Sequence, residues 1–182
     1  MLRHLFGRGR SGDRPTVDAL YEQIVAAARQ PALYSAWEVP DTPLGRFEMV
    51  GLHLFLFLHR VRGESGDIAE IAQTLTDEFF ADVDTSVREL GVGDAGVPKR
   101  VKRLATMFYG RAAAYGEALD RGDRAALVDA LVRNVRPDAT DWTGAQALAD
   151  YMLAAGRELR GQPTDGLIAG RLAYPDAERM TP

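Results

Sequence analysis

The sequence of 182 residues contains no cysteine and only three histidines. Without cysteine the chain can form neither disulfide bonds nor thiolate metal sites. His53 and His59 are six positions apart, so on one helix they would lie about 120° apart and could not share an ion as an i, i+4 pair does. The third, His4, lies near the N-terminus. The sequence therefore predicts no metal site and no cofactor.

Long hydrophobic runs are also absent. The most apolar stretch, residues 49–58, is interrupted only by His53 and is bounded by Glu48 on one side and by His59 and Arg60 on the other. A membrane-spanning helix needs about 20 predominantly apolar residues, whereas a run of roughly 10 to 14 is typical of a buried core helix. This stretch is therefore predicted to lie in a protein core.

A strong net charge and catalytic signatures are missing as well. The formal net charge of −4 does not favour a general nucleic-acid binder, so no DNA partner is expected. No GxSxG motif occurs, and GVGDAGVPK at residues 91–99 lacks the spacing and the preceding strand of a phosphate-binding loop. We therefore expect no catalytic residues and no enzyme activity.

The first 14 residues carry arginines among scattered apolar residues, without the continuous apolar segment of a secretion signal. They are predicted to be a flexible basic tail or, alternatively, a weak contact to anionic lipid. Residues 15–161 are predicted to form one helical domain, and residues 162–182 a tail that is partly docked. The expected location is the cytoplasm, with peripheral attachment to the inner face of the cytoplasmic membrane as a further option.

Helical periodicity dominates the rest of the sequence. Apolar residues recur at spacings of three and four, and no run alternates as a strand does. Thr42 and Pro43 form a helix-start signal, with Thr42 as N-cap and proline at the first helical position. The helix that follows, about residues 42–62, is apolar on all sides and needs neighbours around it. The sequence predicts an all-α, single-domain bundle of about six helices around this central helix.

A helix predicted to start at Pro98 carries four cations in its first turns. They are Lys99, Arg100, Lys102 and Arg103. Positive charge there faces the positive end of the helix dipole, which is mildly unfavourable. Together with Arg111, these side chains are expected to contact an anionic partner: a ribosome, an anionic membrane surface or an acidic protein. The alternative is a solvated face that pairs with the acidic helix over residues 64–90.

Two blocks of the sequence resemble a known family. They are VPDTPLGRFEMVGLHLFLFLHRVRG, residues 39–63, and ELGVGDAGVPKRVKRLATMFYGRAAAY, residues 89–115. Both are similar to the ubiquinol-cytochrome c chaperone family, and the similarity covers roughly residues 33–134. The resemblance implies a non-catalytic, all-helical assembly factor of respiratory complex III, ubiquinol-cytochrome c reductase, that binds newly made cytochrome b. For mitochondrial members the family also implies that the chaperone works with a small partner protein and associates with the ribosome. This chain resembles a bacterial form, for which both contacts stay open.

A chaperone for the apolar helices of cytochrome b needs an exposed apolar patch or groove. Two candidates, Tyr34 and Trp37, lie in the stretch before the central helix, here called the aromatic loop. The other two, Phe47 and Phe55, lie on the central helix. A rival interpretation is a haem-handling protein or a small helical enzyme in which His53, Asp41 and Arg46 line a closed polar pocket. The first predicts an open apolar surface beside a basic strip, and the second predicts polar side chains that converge on one cavity.

Overall fold

The computed structural model describes residues 14–180, which contain α-helices and no β-strand. The helices are α1 (Arg14–Ala28), α2 (Pro31–Ser35), α3 (Pro43–Arg60), α4 (Asp67–Glu89), α5 (Val97–Arg121), α6 (Arg124–Val135), α7 (Gly144–Gly161) and α8 (Thr164–Ile168). Six of these have 12 residues or more, and α2 and α8 are short. The prediction of an all-α fold with about six helices is confirmed. The predicted basic tail lies outside the described residues except for Arg14.

Helix α3 is the central element, as the sequence predicts. Its start is fixed by Thr42, whose side chain accepts a hydrogen bond from the Gly45 amide at 3.1 Å, and by Pro43 at the first helical position. Residues 51–57 are all buried, and α3 packs against α1, α4, α5 and α7. Its apolar residues point in every direction because neighbours cover it on several sides. Among the described helices, none is long and apolar enough to cross a bilayer.

The chain between α1 and α3 contains α2 and then a tightly held turn. Trp142 donates its indole N–H to the Trp37 carbonyl oxygen at 2.7 Å. The guanidinium of Arg136 lies 6.0 Å from the centre of the Trp142 ring. Glu38, the next residue of the turn, has a positive φ of 56°. These contacts fix the aromatic loop against the start of α7.

Helices α4 and α5 pack against each other, and α5 also contacts α3 and α6. Helix α4 is continuous from Asp67 to Glu89. Helix α5 ends at Arg121 and is capped by Gly122, whose left-handed φ of 63° suits a residue without a Cβ. Because a short connector joins α4 to α5, the C-terminal end of α4 and the cationic first turns of α5 lie at the same end of the bundle.

The residues after α7 return to the helical body. Leu167 of α8 is fully buried, and Leu172 and Ala177 further along the chain are buried as well. Residues 171–176 have neither helical nor strand structure. This segment therefore depends on contacts with other elements for its position.

Candidate partner-binding surface

Two of the four apolar candidates, Trp37 and Phe55, are buried in the core. Trp37 is 1% exposed and meets the Tyr151 ring edge to face, with the ring centres 5.7 Å apart. Phe55 is 6% exposed and packs between the rings of His59 and Tyr115. In this conformation neither side chain offers a partner an appreciable surface.

The other two candidates, Tyr34 and Phe47, are half-buried. The Tyr34 hydroxyl donates to the Ala28 carbonyl oxygen at 2.7 Å, which holds the ring over the end of α1. Phe47 stacks on Phe79 of α4, with ring centres 5.6 Å apart and an interplanar angle of 24°. Phe47 is thus the candidate that joins α3 to the aromatic residues of neighbouring helices.

An aromatic ridge crosses α3, α4 and α5, with contacting ring centres between 5.1 and 6.1 Å apart. Its members are Phe47, Phe79, Phe80, Phe108 and Tyr109. Phe79 and Phe108 form its buried base, whereas Phe47 and Phe80 are half-buried and Tyr109 is 57% exposed. The ridge therefore carries aromatic surface from the core to the exterior.

The basic strip on α5 consists of Lys99, Arg100, Lys102 and Arg103. All four residues are exposed, and none forms an ion pair with another residue in the described part of the chain. Acidic residues of α4 pair elsewhere: Glu78 with Arg14, and Asp84 with Arg88. In the described residues the acidic helix therefore does not neutralise the strip, and four cations remain available to an anionic partner.

Arg111 does not share this exposed position. Its side chain reaches inward, where its Nη2 lies 2.8 Å from Oε1 of Glu48 on α3 and donates to the Asn134 carbonyl oxygen at 3.1 Å. Both ionic side chains are largely buried, and Nε and Nη1 of Arg111 have no hydrogen-bond partner among the described residues. Burial raises the pKa of Glu48 to about 7, although the Arg111 charge opposes this.

A crevice lies beside this ion pair, between α3 and α5. Its walls include the rings of Phe47, Phe55 and Phe108. The enclosed volume of about 10 Å³ is room for roughly one water molecule. In this conformation the crevice is therefore too small for a cofactor.

Comparison with known proteins identifies the family of this helical chain. The sequence model of the family described as "Ubiquinol-cytochrome C chaperone" matches residues 35–174, more than half of the chain. The chain belongs to the ubiquinol-cytochrome c chaperone family. The resemblance noted over residues 33–134 is confirmed, and the match continues through α7 and α8.

Two relatives support this chaperone-family assignment. The crystal structure described as the Cbp3 homolog from Brucella abortus has a TM-score of 0.88 and 52% identity, over 92% of this chain and 93% of that one. A Drosophila melanogaster protein named "Ubiquinol-cytochrome c reductase complex assembly factor 1" is 22% identical over 158 residues. That match covers 84% of this chain and 61% of the Drosophila protein, so the chain spans less than two thirds of that relative's length.

In this chaperone-family fold, the residues of the rival interpretation do not converge on one pocket. Asp41 and Arg46 pair with each other on the surface, with Arg46 Nε donating to Asp41 Oδ1 at 2.6 Å. His53 is buried, and burial lowers its pKa to about 4. Its Nδ1 lies 2.7 Å from the Met49 carbonyl oxygen and therefore carries the proton, while Nε2 accepts from the Tyr151 hydroxyl at 2.8 Å. Within residues 14–180, no cluster of three or more acidic, histidine or cysteine side chains could hold a metal ion.

Sequence reasoning missed the pairing of Glu48 with Arg111 and the extent of the aromatic ridge. One signal was available for the ion pair: Glu48 precedes Leu52 and Phe55 at helical spacings of four and seven, so an acidic residue occupies a face that is otherwise apolar. Burial on that face demands a cationic partner. No comparable signal identified Phe80 and Tyr109, because their contacts join residues far apart in the sequence.

Proposed function

We propose that this member of the chaperone family binds cytochrome b in its newly made or unassembled form and assists the assembly of ubiquinol-cytochrome c reductase. The family assignment and the name of the Drosophila relative support an assembly role. The structural observation that carries the proposal is the aromatic ridge, which leaves half-buried and exposed rings on one side of α3, α4 and α5.

The ridge has the chemistry that an apolar client requires. Helices of a membrane protein expose apolar side chains until they reach the bilayer or their partner subunits, and exposed apolar surface promotes aggregation. Aromatic rings offer a large contact area at little conformational cost. Because Phe79 and Phe108 hold the base of the ridge in the core, its outer rings Phe47, Phe80 and Tyr109 are positioned before a client arrives.

The first experiment compares Tyr109→Ser with Leu90→Ser. Both residues are large and apolar and similarly exposed, at 57% and 59%, but only Tyr109 belongs to the aromatic ridge. Each tagged full-length variant is purified from the organism's own cells, and co-purifying cytochrome b is quantified by mass spectrometry. We expect Tyr109→Ser to lower cytochrome b recovery about fivefold or more, since loss of a central aromatic contact costs more than about 1 kcal/mol. Leu90→Ser should behave as wild type.

The same measurement can refute the proposal. If the wild-type protein does not enrich cytochrome b over other membrane proteins, the client assignment fails. If wild type enriches it and both serine variants enrich it equally, cytochrome b is bound elsewhere and the ridge is not the binding surface.

For the basic strip we propose contact with an anionic surface, either ribosomal RNA or a membrane rich in anionic lipid. The support is that its four cations are exposed and have no ion-pair partner among residues 14–180. Their position at the N-terminus of α5 also adds the positive end of the helix dipole to the same field. A partner of this kind would bring the ridge close to newly made membrane protein.

Charge reversal tests this second contact. Lys102→Glu with Arg103→Glu removes two cations from the strip, and Arg29→Glu with Arg157→Glu makes the same change in net charge at exposed positions outside it. Each variant is sedimented at low salt with ribosomes and, separately, with vesicles containing anionic lipid. The strip variant should bind one of these surfaces about tenfold more weakly or worse, because each cation near an anionic surface contributes about 1 kcal/mol. Equal losses in both variants would show that only net charge matters.

A further inference from the structure

Residues 170–177, here called the C-terminal strap, bind the helical body through their main chain. The strap has no helix or strand of its own to pair its N–H and C=O groups. Gln23 of α1 provides two of the missing partners. Its Nε2 donates to the Gly170 carbonyl oxygen at 2.8 Å, and its Oε1 accepts from the Leu172 amide at 2.8 Å.

Two further glutamines repeat this pattern along the strap. Gln162, just after α7, donates to the carbonyl oxygen of Ala173 at 2.7 Å and accepts from the amide of the same residue at 3.0 Å. Gln30, in the turn after α1, donates to the Pro175 carbonyl oxygen at 3.2 Å and accepts from the Ala177 amide at 2.7 Å. Three carboxamides thus act toward the strap as the edge of a β-sheet acts toward an added strand.

Four side chains of the strap face the body: Leu172, Tyr174, Pro175 and Ala177. Leu172 and Ala177 are buried, and the Tyr174 hydroxyl donates to the His53 carbonyl oxygen of α3 at 2.7 Å. Arg171, Ala173 and Asp176 face solvent. The body therefore recognises main-chain groups together with a pattern: an aliphatic residue, an aromatic residue two positions later, a proline directly after it and a small residue two positions after the proline.

Next to the strap lies an open cavity of about 560 Å³, lined by Gln23, Gln162 and Glu158 together with residues 170–173. At the start of the strap, Gly170 has a left-handed φ of 75°, which makes a turn between α8 and the strap. The strap is thus joined to α8 through a turn and borders unfilled space.

We propose that this groove is a receptor for a non-helical segment of another polypeptide with the same residue pattern, and that the C-terminal strap is its displaceable internal occupant. Hydrogen bonds from the three glutamines go to main-chain groups, which every polypeptide carries, so the partner is specified only by its pattern of inward side chains. The proposal goes beyond cytochrome b capture and uses a different surface. The groove involves α1, the residue after α7 and the His53 carbonyl of α3, and it shares no residue with the ridge.

The strap competes with any external peptide at an effective concentration of about millimolar, because it is part of the same chain. Weakening the strap while leaving the groove intact should therefore expose the receptor. Leu172→Ser does this, because it removes a buried apolar side chain from the strap and leaves the three glutamines of the groove unchanged. Ala173→Ser is the matched control, because this neighbouring side chain faces solvent.

The probe is a fluorescent peptide with the sequence GRLAYPDAERM, residues 170–180, added to the full-length proteins and followed by fluorescence anisotropy. We expect it to bind Leu172→Ser at least about tenfold more tightly than wild type or Ala173→Ser, because only the first has a weakened competitor. The same peptide with serine in place of its leucine and tyrosine should not bind.

A reversible lock gives a second arm. A Cβ placed at Gly170 would lie 3.3 Å from the Ala19 Cβ of α1, close to the separation in disulfides, and the chain has no other cysteine. Ala19→Cys and Gly170→Cys are added to Leu172→Ser. Peptide binding should be lost in the oxidised protein and return on reduction; the strain of cysteine at the left-handed position is present in both states and cancels.

Hydrogen exchange on the wild-type protein provides a test that needs no variant. The Leu172, Ala173 and Ala177 amides should exchange at least about tenfold faster than α3 amides, through an opening that leaves the helices folded. Exchange of both sets only by global unfolding would overturn the proposal, as would absence of peptide binding to folded Leu172→Ser. A stable dimer formed by exchange of straps would assign the groove to a second copy of this chain and would also overturn it. None of these results bears on cytochrome b recovery by the ridge.

Discussion

Glu48 illustrates how a single residue couples two helices. Its carboxylate meets the Arg111 guanidinium at 2.8 Å in a largely buried interface between α3 and α5. Taking both charges out of water costs free energy that their attraction offsets only in part. The raised pKa of Glu48, about 7, follows from this burial. The carboxyl therefore changes ionisation near neutral pH, where an exposed glutamate is fully charged.

At the residue scale we predict that Glu48→Gln raises the free energy of unfolding, relative to wild type, more at pH 7.5 than at pH 4.5. Glutamine is close in shape to the protonated carboxyl, so the two proteins should differ little at pH 4.5. Because the folded pKa of Glu48 is raised from 4.5 to about 7, ionisation costs wild type up to roughly 3 kcal/mol as the pH rises. Urea unfolding at the two pH values measures the difference. A variant whose relative stability is unchanged or lower at pH 7.5 would contradict the burial argument.

Helix α3 could be predicted from local sequence, whereas the aromatic loop before it could not. Thr42 and Pro43 mark the start of α3, and its all-round apolar composition correctly predicts a central position. The position of Trp37 depends instead on Trp142 and Tyr151, which come from a distant part of the chain and contact Trp37 in the core. Aromatic residues in a proline-rich stretch suggested a partner surface, but long-range packing places Trp37 in the core.

At the scale of the element, the close approach of the aromatic loop to α7 predicts different effects for two glycine-to-alanine substitutions. A Cβ at Gly144, the first residue of α7, would overlap the Trp37 carbonyl oxygen, whereas a Cβ at Gly110 within α5 would meet nothing within 4 Å. Gly144→Ala should destabilise the protein by roughly 1–3 kcal/mol through overpacking. Gly110→Ala should stabilise it by about 0.5–1 kcal/mol, because alanine loses less backbone entropy in a helix. Thermal unfolding of both variants measures this. If both substitutions change the stability equally, the aromatic loop moves away from α7 at little cost in free energy.

At the scale of the whole molecule, the sequence predicted the class of the fold and the family but not which surfaces are free. Helical periodicity and the two family-like blocks depend on neighbouring residues, which the sequence displays directly. Arg111 and the basic strip share one helix, yet only the strip is exposed, because Glu48 of another helix holds Arg111 inside. The C-terminal strap likewise depends on three glutamines whose sequence environment does not distinguish them from surface residues.

Two buried groups of α3, His53 and Glu48, titrate with opposite effects on stability. His53 has its pKa lowered from 6.5 to about 4 by burial, so between these pH values the unfolded chain binds more protons and stability falls as the pH falls. His59, whose pKa is also lowered by burial, acts in the same sense. Glu48 acts in the opposite sense between pH 4.5 and about 7, since its folded state holds the extra proton. Between pH 4.5 and 6.5 these contributions oppose each other in wild type.

These opposing contributions predict how each substitution changes the dependence of the free energy of unfolding on pH. Glu48→Gln leaves the histidines unopposed, so its stability should decrease more steeply than that of wild type from pH 6.5 to 4.5. His53→Gln should lower stability at every pH by removing the contacts with Met49 and Tyr151, but its profile should be flatter than that of wild type or inverted. Urea unfolding at pH 4.5, 5.5 and 6.5 gives the three slopes. Salt-bridged carboxylates such as Asp120 and Asp150 have lowered pKa values. The stability that they contribute is therefore lost mainly below pH 4.5. Parallel profiles for all three proteins would show that neither buried group changes its ionisation on unfolding.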